Sequence, residues 1–339
     1  MAVKAAGSPL SFSEIETEFG ANSARSLGSY RVSQTVGALF NRPLDVGIPQ
    51  TGAIKFSQFY SKRLNVVVNF HTGGTEYRQN GKVRYNGNAV TVIGGFRGKK
   101  EAGSKILIHV NKTIGSAKGG QQTVALRTGS WHSDVVLSVD IGGSGGLYGA
   151  GGNGGRGADS WSDAGSTNGS SGGNGTSALG IDHSTTVNIL GGRIRCGFGG
   201  GGGGAGARQK DPGADRSACG GGGGGGAGLP AGDGGPGGRR FSGGADEVAT
   251  GNSGGAGQLE ENGEGGSGGN NHGEAIGGNG GRGGDPFESA QNGNGGRFLD
   301  SGQGSAGSNG AAIRRSGGYS ISISNAGSLS GSVGDFGVA

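Results

Sequence analysis

Residues 199–204 and 220–226 are uninterrupted glycine. A stretch without side chains offers neither an apolar helix stripe nor an inward strand face, so whatever orders it must act through the main chain. The chain holds 89 glycines in 339 residues and only seven prolines, and 18 of those glycines lie in residues 1–140. Charge divides at the same place: residues 1–140 carry 17 Lys and Arg against 8 Asp and Glu, whereas residues 141–339 carry 12 against 16. The basic residues of the first part are spread singly through alternating segments, with no arginine-rich arm, which argues against nucleic acid as a partner. Residues 1–7 lack the basic start and apolar core of a signal peptide, and no stretch approaches about 18 apolar residues, so the expectation is a soluble product held inside the cell that makes it. Cys196 and Cys219 are too few for a disulfide scaffold in a chain of this size.

The first residues read as a small unit used twice. Leu10 and Phe12 alternate as in a short strand and are followed by Ser13 with Glu16 three residues on, the spacing of a capping box. Ile54, Phe56 and Ser57 repeat the pattern. Residues 64–141 hold short β-branched runs at 64–70, 90–93, 105–110, 123–127 and 134–141, separated by turns that include Asn80-Gly81 and Asn86-Gly87. Such turns suit tight hairpins, so a small antiparallel sandwich is expected. His71, His109 and His132 stand alone in this pattern, and they read as strand or loop residues rather than as metal ligands or bases.

An internal repeat runs through the remainder. Val139-x-Ile141 followed by Gly145-x-Leu147-x-Gly149 matches Ile321-x-Ile323 followed by Gly327-x-Leu329-x-Gly331, and Val187-x-Ile189 with Gly192-x-Ile194 is a copy one residue shorter. Upstream, Ala178-Leu179 and Ala312-Ile313 each lie nine residues before the second and third copies. Repetition marks an architecture and not a flexible linker. Between the repeats lie glycine runs at 142–157, 199–206, 220–228, 232–238, 263–269 and 277–284. Collagen is excluded, because no strict every-third glycine persists and proline is scarce. The ordered option left is a bundle of three-residue-per-turn helices of the polyproline II type made of glycine, which satisfy their amides on one another.

Two phrases, PLSFSEIETEFG at 9–20 and IPQTGAIKFSQFYSK at 48–62, resemble an N-terminal module of glycine-rich tail and virion proteins of bacteriophages. Two others, NGTSALGIDHSTTVNILGGRIRCGFGGGGGGAG at 174–206 and GSNGAAIRRSGGYSISISNAGSLSG at 307–331, resemble the glycine-rich domains of phage tail proteins, similar in kind to the polyglycine sandwich of tail-tip adhesins. Those adhesins ride on a separate fibre, whereas this chain carries a module of its own. The resemblance implies a mainly β protein with a polyglycine II helix bundle, in three parts: a small α+β attachment module at 1–63, a short antiparallel β domain at 64–141, and a glycine-rich lobe at 142–339 with receptor-facing loops. It implies a virion tail protein assembled in the bacterial host cytoplasm. Residues 1–63 would bind other phage tail or baseplate proteins, and the lobe would bind a host surface saccharide or outer-membrane protein; a homo-oligomer such as a trimer is admitted.

The loops between glycine runs, at 159–171, 207–218, 239–253 and 285–301, mix arginine with aromatics and suit stacking and bidentate hydrogen bonds. The expected receptor residues are Trp161, Arg208, Lys210, Arg239, Arg240, Phe241, Phe287, Arg297 and Phe298. No catalytic residue, metal site or cofactor is expected. No glycine run continues into the Lys-Ser or Lys-Thr of a phosphate loop. Residues 154–161 and 280–287 fit a calcium-binding glycine-aspartate repeat, but that repeat builds a site only from tandem copies, and these lie far apart. Glu260 and Glu261 are adjacent in a polar loop and read as solvated surface. The alternative function is a purely structural baseplate, collar or head-fibre protein, and a depolymerase ranks third.

Overall fold

The computed structural model describes residues 3–19, 26–27, 40–41, 48–49, 52–62, 66–70, 76–78, 105–129, 133, 135–210, 216–241, 247–271, 275–298 and 300–337. These are mainly β, with one eight-residue α-helix, Phe12–Phe19. The expected turns Asn80-Gly81 and Asn86-Gly87, and His71 and His132, lie outside the described residues.

The chain winds through a three-faced coil in which, among the described residues, each of the last four circuits contributes a strand to each face and the first circuit to two of them. The first face stacks Val66–Phe70, Lys105–Val110, Val136–Gly142, Thr185–Leu190 and Ile321–Asn325, all parallel. The second stacks Glu76–Arg78, Thr113–Ser116, Gly146–Tyr148, Arg193–Arg195 and Ser328–Ser330. The third stacks Val124–Arg127, Ser177–Ile181, Ala311–Arg315 and Ser332–Gly334. Because a strand pairs with its counterpart one circuit later, like side chains meet in register. One ladder runs Ile108, Val139, Val187, Ile323, a second Ile114, Leu147, Ile194, Leu329, and a third Leu126, Leu179, Ile313, Val333. Alternation along each strand turns these residues inward, and all but those of the last circuit are buried in one core. Each fully buried Ile or Leu contributes about 1.5–3 kcal/mol. One corner is pinned by Asp182, which accepts hydrogen bonds from Arg127 of the circuit before and from Ser316 Oγ (3.0 Å) of the circuit after.

The described strands at 66–70, 105–110, 124–127 and 136–142, expected to form an antiparallel sandwich, are therefore parallel, and the run expected at 90–93 lies outside the described residues. Each pairs with a strand a circuit away instead of with its sequence neighbour, and strands before and after residue 141 share one sheet. The sequence repeat is the circuit itself, with one shift: Val187 lies opposite Ile323 and Thr185 opposite Ile321, two residues from the alignment by pattern. The glycines of the second half-signature do align, placing Leu147, Ile194 and Leu329 in one row. His109 stands in the first face opposite Asp140.

Residues 3–62 add to the same core through Val3, Ile15, Ile48 and Phe59. The two copies of the short phrase meet edge to face, Phe12 on Phe56 at 4.8 Å between centroids. Their caps lie earlier than the pattern indicates. Ser11, not Ser13, forms the capping box: its amide donates to Glu14 Oε2 (2.7 Å), and Glu14 N donates to Ser11 Oγ (3.3 Å). The helix starts at Phe12, so the earlier of two overlapping Ser-x-x-Glu spacings is the one at its end. In the second copy Lys55 N donates to Gln58 Oε1 (2.6 Å), so Ser57 lies inside the short 3-10 turn Phe56–Phe59. The Lys4 ammonium, 2.5 Å from Glu14, and the Ser11 hydrogen bonds lower the Glu14 carboxyl to about 2.

The glycine-rich residues are insertions between the second and third faces. Residues 149–176 join Gly146–Tyr148 to Ser177–Ile181, and residues 196–310 join Arg193–Arg195 to Ala311–Arg315. They form ten runs that go out and back: 149–158, 168–176, 197–206, 219–228, 232–238, 251–257, 263–269, 277–284, 291–296 and 302–310. Hydrogen bonding in them repeats every third residue. In the third run, Gly197, Gly200 and Gly203 donate to Thr176, Gly173 and Ser170 of the second, while Phe198, Gly201 and Gly204 donate to Ala227, Gly224 and Gly221 of the fourth, at 2.7–2.9 Å. Gly202 and Ala205 donate to Gln291 and Asn294 of the ninth. Carbonyls of the third run accept, in the same three phases, from the tenth (Gly310 to Gly197), the first (Gly152 to Phe198) and the eighth (Gly284 to Gly199). Six neighbours surround this run, and the fourth run is surrounded in the same way by the first, third, fifth, sixth, seventh and eighth.

Composition follows from that packing. The third and fourth runs are enclosed on every side, and glycine occupies all three phases of 199–204 and 220–226, every residue buried. Outer runs keep glycine in two phases and place a residue with a side chain in the third, as in Asp233-Gly234-Gly235-Pro236-Gly237-Gly238, where Asp233 and Pro236 are exposed. A period of three is thus present within runs although it does not persist between them. The approach forbids side chains: a Cβ on Gly223 would lie 2.1 Å from the Gly201 carbonyl oxygen, and one on Gly254 would lie 2.1 Å from that of Gly223. Gly255, next in sequence, faces outward, with its nearest atom at 3.4 Å. Gly254→Ala should therefore cost about 3 kcal/mol or more through displaced main chain and broken hydrogen bonds. Gly255→Ala should be neutral or stabilising by up to about 1 kcal/mol, because it restricts the unfolded chain. Thermal or denaturant unfolding of the two adjacent variants measures the difference, and equal effects would contradict this packing.

Candidate functional site at the outer end of the glycine runs

Each odd-numbered run leads away from the three-faced coil and each even-numbered run returns, so the connections fall into two groups. Residues 229–231, 258–262 and 285–290 turn at the coil end. The chain reverses at the outer end between residues 158 and 168, 206 and 219, 238 and 251, 269 and 277, and 296 and 302, the described residues of these connections being 159–167, 207–210, 216–218, 239–241, 247–250, 270–271, 275–276, 297–298 and 300–301. The outer turns are joined to one another. Ser160–Trp161 pairs with Arg240 and Phe241 of Arg239–Phe241, and Ser160 Oγ donates to the Ala207 carbonyl at 3.1 Å. Arg208 N donates to the Phe298 carbonyl (2.9 Å), Arg297 N to that of Ile276 (2.8 Å), and Gly206 N to Ser301 Oγ (2.8 Å).

Eight of the nine expected receptor residues lie in these outer turns. Trp161 stacks on Phe241 with centroids 5.0 Å apart and planes within 9°. The Arg239 guanidinium lies over the Phe241 ring at 5.2 Å from its centroid, giving a row of arginine, phenylalanine and tryptophan. A second pair sits on the turn 297–301, with the Arg297 guanidinium 5.2 Å from the Phe298 centroid. Phe298 is 44% exposed and has a φ of +59°, a left-handed conformation that costs a bulky residue about 1–3 kcal/mol. The turn holds an aromatic ring outward at that expense. Lys210 is exposed at the end of Ala207–Gln209, while Arg208 and Arg240 are half-buried.

Phe287 is the exception. It is 89% exposed, but its turn is at the coil end: Gly284 N donates to the Gly199 carbonyl, which closely follows Arg193–Arg195. Its sequence neighbourhood resembles that of Trp161, and only the count of out-and-back runs places it at the opposite end. The turn 270–276 is at the outer end and was not anticipated, because it is short and has no aromatic residue.

Asp159 organises the first and third outer turns and was not singled out from sequence. Its side chain is only 5% exposed and lies 2.5 Å from Arg156 Nη2 and 3.4 Å from Arg239 Nη2, and it accepts the Arg239 amide at 2.7 Å. Burial alone would raise the Asp159 pKa; the hydrogen bonds from Arg156 and the Arg239 amide, with the Arg156 charge, outweigh it and hold the carboxyl below its ordinary value. The recognisable signal is a carboxylate that continues the three-residue spacing of Asn153 and Arg156 at the end of a run, directly before a turn.

A family model described as phage tail fibre adhesin Gp38 matches residues 68–334, which span the three-faced coil from its first strand to the end of its last one. No curated protein matches the sequence significantly. A solved structure, the crystal structure of the gp37-gp38 adhesin tip complex of the bacteriophage S16 long tail fiber, is similar at 18% identity over 98% of this chain and 100% of that chain, with a TM-score of 0.36.

The Asp159 clamp should respond to acid. A carboxyl whose folded pKa is depressed contributes stability that is complete above its unfolded value, here 3.8, and is lost as pH falls through the folded value. Lowering pH below about 4 should loosen the stacked row, read as a change in near-ultraviolet dichroism of Trp161 on Phe241. Asp159→Asn should remove that acid step and destabilise the neutral protein by about 1–3 kcal/mol, the cost of weakened hydrogen bonds at a buried site. An unchanged acid step in the variant would assign it to other groups.

Proposed function

Since this chain belongs to the phage tail fibre adhesin Gp38 family, and so is a receptor-binding component of the virion tail, we propose that it binds the host surface through the outer turns of its glycine-rich lobe. The residues assigned to that contact are Trp161, Arg208, Lys210, Arg239, Arg240, Phe241, Arg297 and Phe298. The observation that carries this reading is their convergence: turns separated by up to about 140 residues meet at one end, bearing a stacked row and a second arginine–aromatic pair. Stacked rings and arginine forks suit a saccharide or the polar loops of an outer-membrane protein.

We further infer that the ten runs are helices of the polyglycine II type. Support comes from hydrogen bonds that recur every third residue and link neighbouring runs. Such a lobe is a stiff support made of main chain, which leaves the turns free to differ in composition. Residues 1–63 are the candidate segment for docking on another tail protein.

Adsorption of the full-length protein to susceptible cells tests the receptor face. Trp161→Ala and Arg297→Ala should each weaken adsorption by roughly tenfold or more, about 1.4 kcal/mol or above, with the lobe still folded. Phe287→Ala, at the other end, should leave it unchanged. Loss of adsorption with Phe287→Ala and none with the outer-turn variants would move the receptor face to the coil end. A wild-type protein that does not adsorb would favour a structural subunit.

A further inference from the structure

The lobe contains eight Asn-Gly pairs, at residues 153, 168, 174, 262, 279, 292, 294 and 309. In this dipeptide the glycine amide nitrogen can attack the asparagine side-chain carbonyl, because glycine offers no hindrance. The attack needs a free amide and a free side chain. Seven pairs offer neither. The amides of Gly154, Gly169, Gly175, Gly263, Gly280, Gly293 and Gly310 all donate to carbonyls of other runs at 2.8–2.9 Å. The asparagine side chains are held as well. Oδ1 of Asn153, Asn168, Asn174, Asn279, Asn292 and Asn309 accepts a main-chain amide, and Asn262 Nδ2 donates to Asp285.

Asn294-Gly295 differs on both counts. Its main chain is anchored, with Asn294 N donating to the Asn279 carbonyl (2.7 Å) and its own carbonyl accepting from Ala205 N (3.1 Å). Among the described residues, however, neither the Asn294 side chain nor the Gly295 amide has a hydrogen-bond partner, and both residues are exposed. Asn292-Gly293, two residues earlier in the same run, is engaged at both points: Gly293 N reaches the Gly304 carbonyl (2.9 Å) and Asn292 Oδ1 accepts from Ala306 N (2.8 Å).

We propose that Asn294 is a site of spontaneous deamidation, the position at which the folded lobe ages. The Gly295 nitrogen loses its proton to solvent and bonds to Asn294 Cγ. The Cγ–Nδ2 bond breaks, and the amide nitrogen leaves as ammonia with protons from water. Water then opens the cyclic imide at either carbonyl, giving aspartate or isoaspartate. The net change is one water consumed and one ammonia released, without oxidation or reduction. Either product places a negative charge three residues before Arg297. Isoaspartate also lengthens the main chain by one carbon between Asn294 Cα and Gly295 N, and it turns the carbonyl that accepts from Ala205 N into a carboxylate outside the main chain.

Full-length protein aged in mildly alkaline buffer, then digested and mapped by mass spectrometry for amide-to-acid conversion, tests the assignment. Asn294 should convert roughly tenfold or more faster than Asn292, because exchange and attack at the engaged pair wait for local opening. In denaturant the two should convert at similar rates. Gly295→Ala should slow conversion at Asn294 and leave Asn292 as it was. Conversion of Asn292 or any other engaged pair as fast as Asn294 in the folded protein would overturn the proposal. So would a preference for Asn294 that persists unchanged in denaturant, because sequence and not fold would then set the rate.

Discussion

The main-chain hydrogen bond between neighbouring runs is the interaction on which the lobe depends. Glycine loses more conformational freedom on ordering than any other residue, and the two innermost runs have almost no apolar surface to offset that loss. What remains is amide to carbonyl contact. It is dense only if chains approach to a distance at which a Cβ would meet a carbonyl oxygen at about 2 Å, as at Gly201, Gly223 and Gly304. Each net bond contributes only about 0.5–1.5 kcal/mol, so order arises from their repetition in every phase and from the cost of leaving a buried amide unpaired. The same geometry decides where side chains are allowed: outward in the outer runs, at the turns and run ends, and nowhere in the stretches 199–204 and 220–226 of the third and fourth runs.

The three-faced coil supplies what the glycine lobe lacks. Its aliphatic ladders form a conventional core, and the strands that bound the insertions hold the first, second, third and tenth runs at fixed spacing. Turns 258–262 and 285–290 return toward this support, and Glu260 bridges the Arg193 and Arg195 side chains of the second face. At the other end, the main chain emerges in turns that bond to one another, so a ring such as Phe298 can be held outward in an unfavourable conformation. On the proposed assignment of the outer turns to the host surface, receptor binding is separated from the three-faced coil and its aliphatic core.

Much of this was legible in the sequence. The repeated signature around Leu147, Ile194 and Leu329 identified the circuit, because residues stacked in register share a pattern. Glycine runs with aromatic loops between them located most of the outer turns. Parallel pairing was not legible, since short β-branched segments look alike whether they pair with the next strand or with one a circuit later. The second, sixth, ninth and tenth runs were passed over because Ser, Asn and Gln interrupt them. Those residues occupy positions the packing leaves outward, such as Asn252, Gln303 and Ser305. Phe287 was grouped with Trp161 for the same reason: without the full number of runs, inner and outer turns cannot be told apart. Asp159 was missed because its importance lies in Arg239, eighty residues away.

Amide hydrogen exchange of the native protein, read at the glycines of 199–204 and 220–226, tests the central claim most directly. If neighbouring runs order one another through the main chain, these amides will exchange only through global unfolding, with protection equal to that of the Val139 and Val187 amides in the coil. Exchange at rates near those of an unstructured glycine peptide, while the coil amides stay protected, would contradict it.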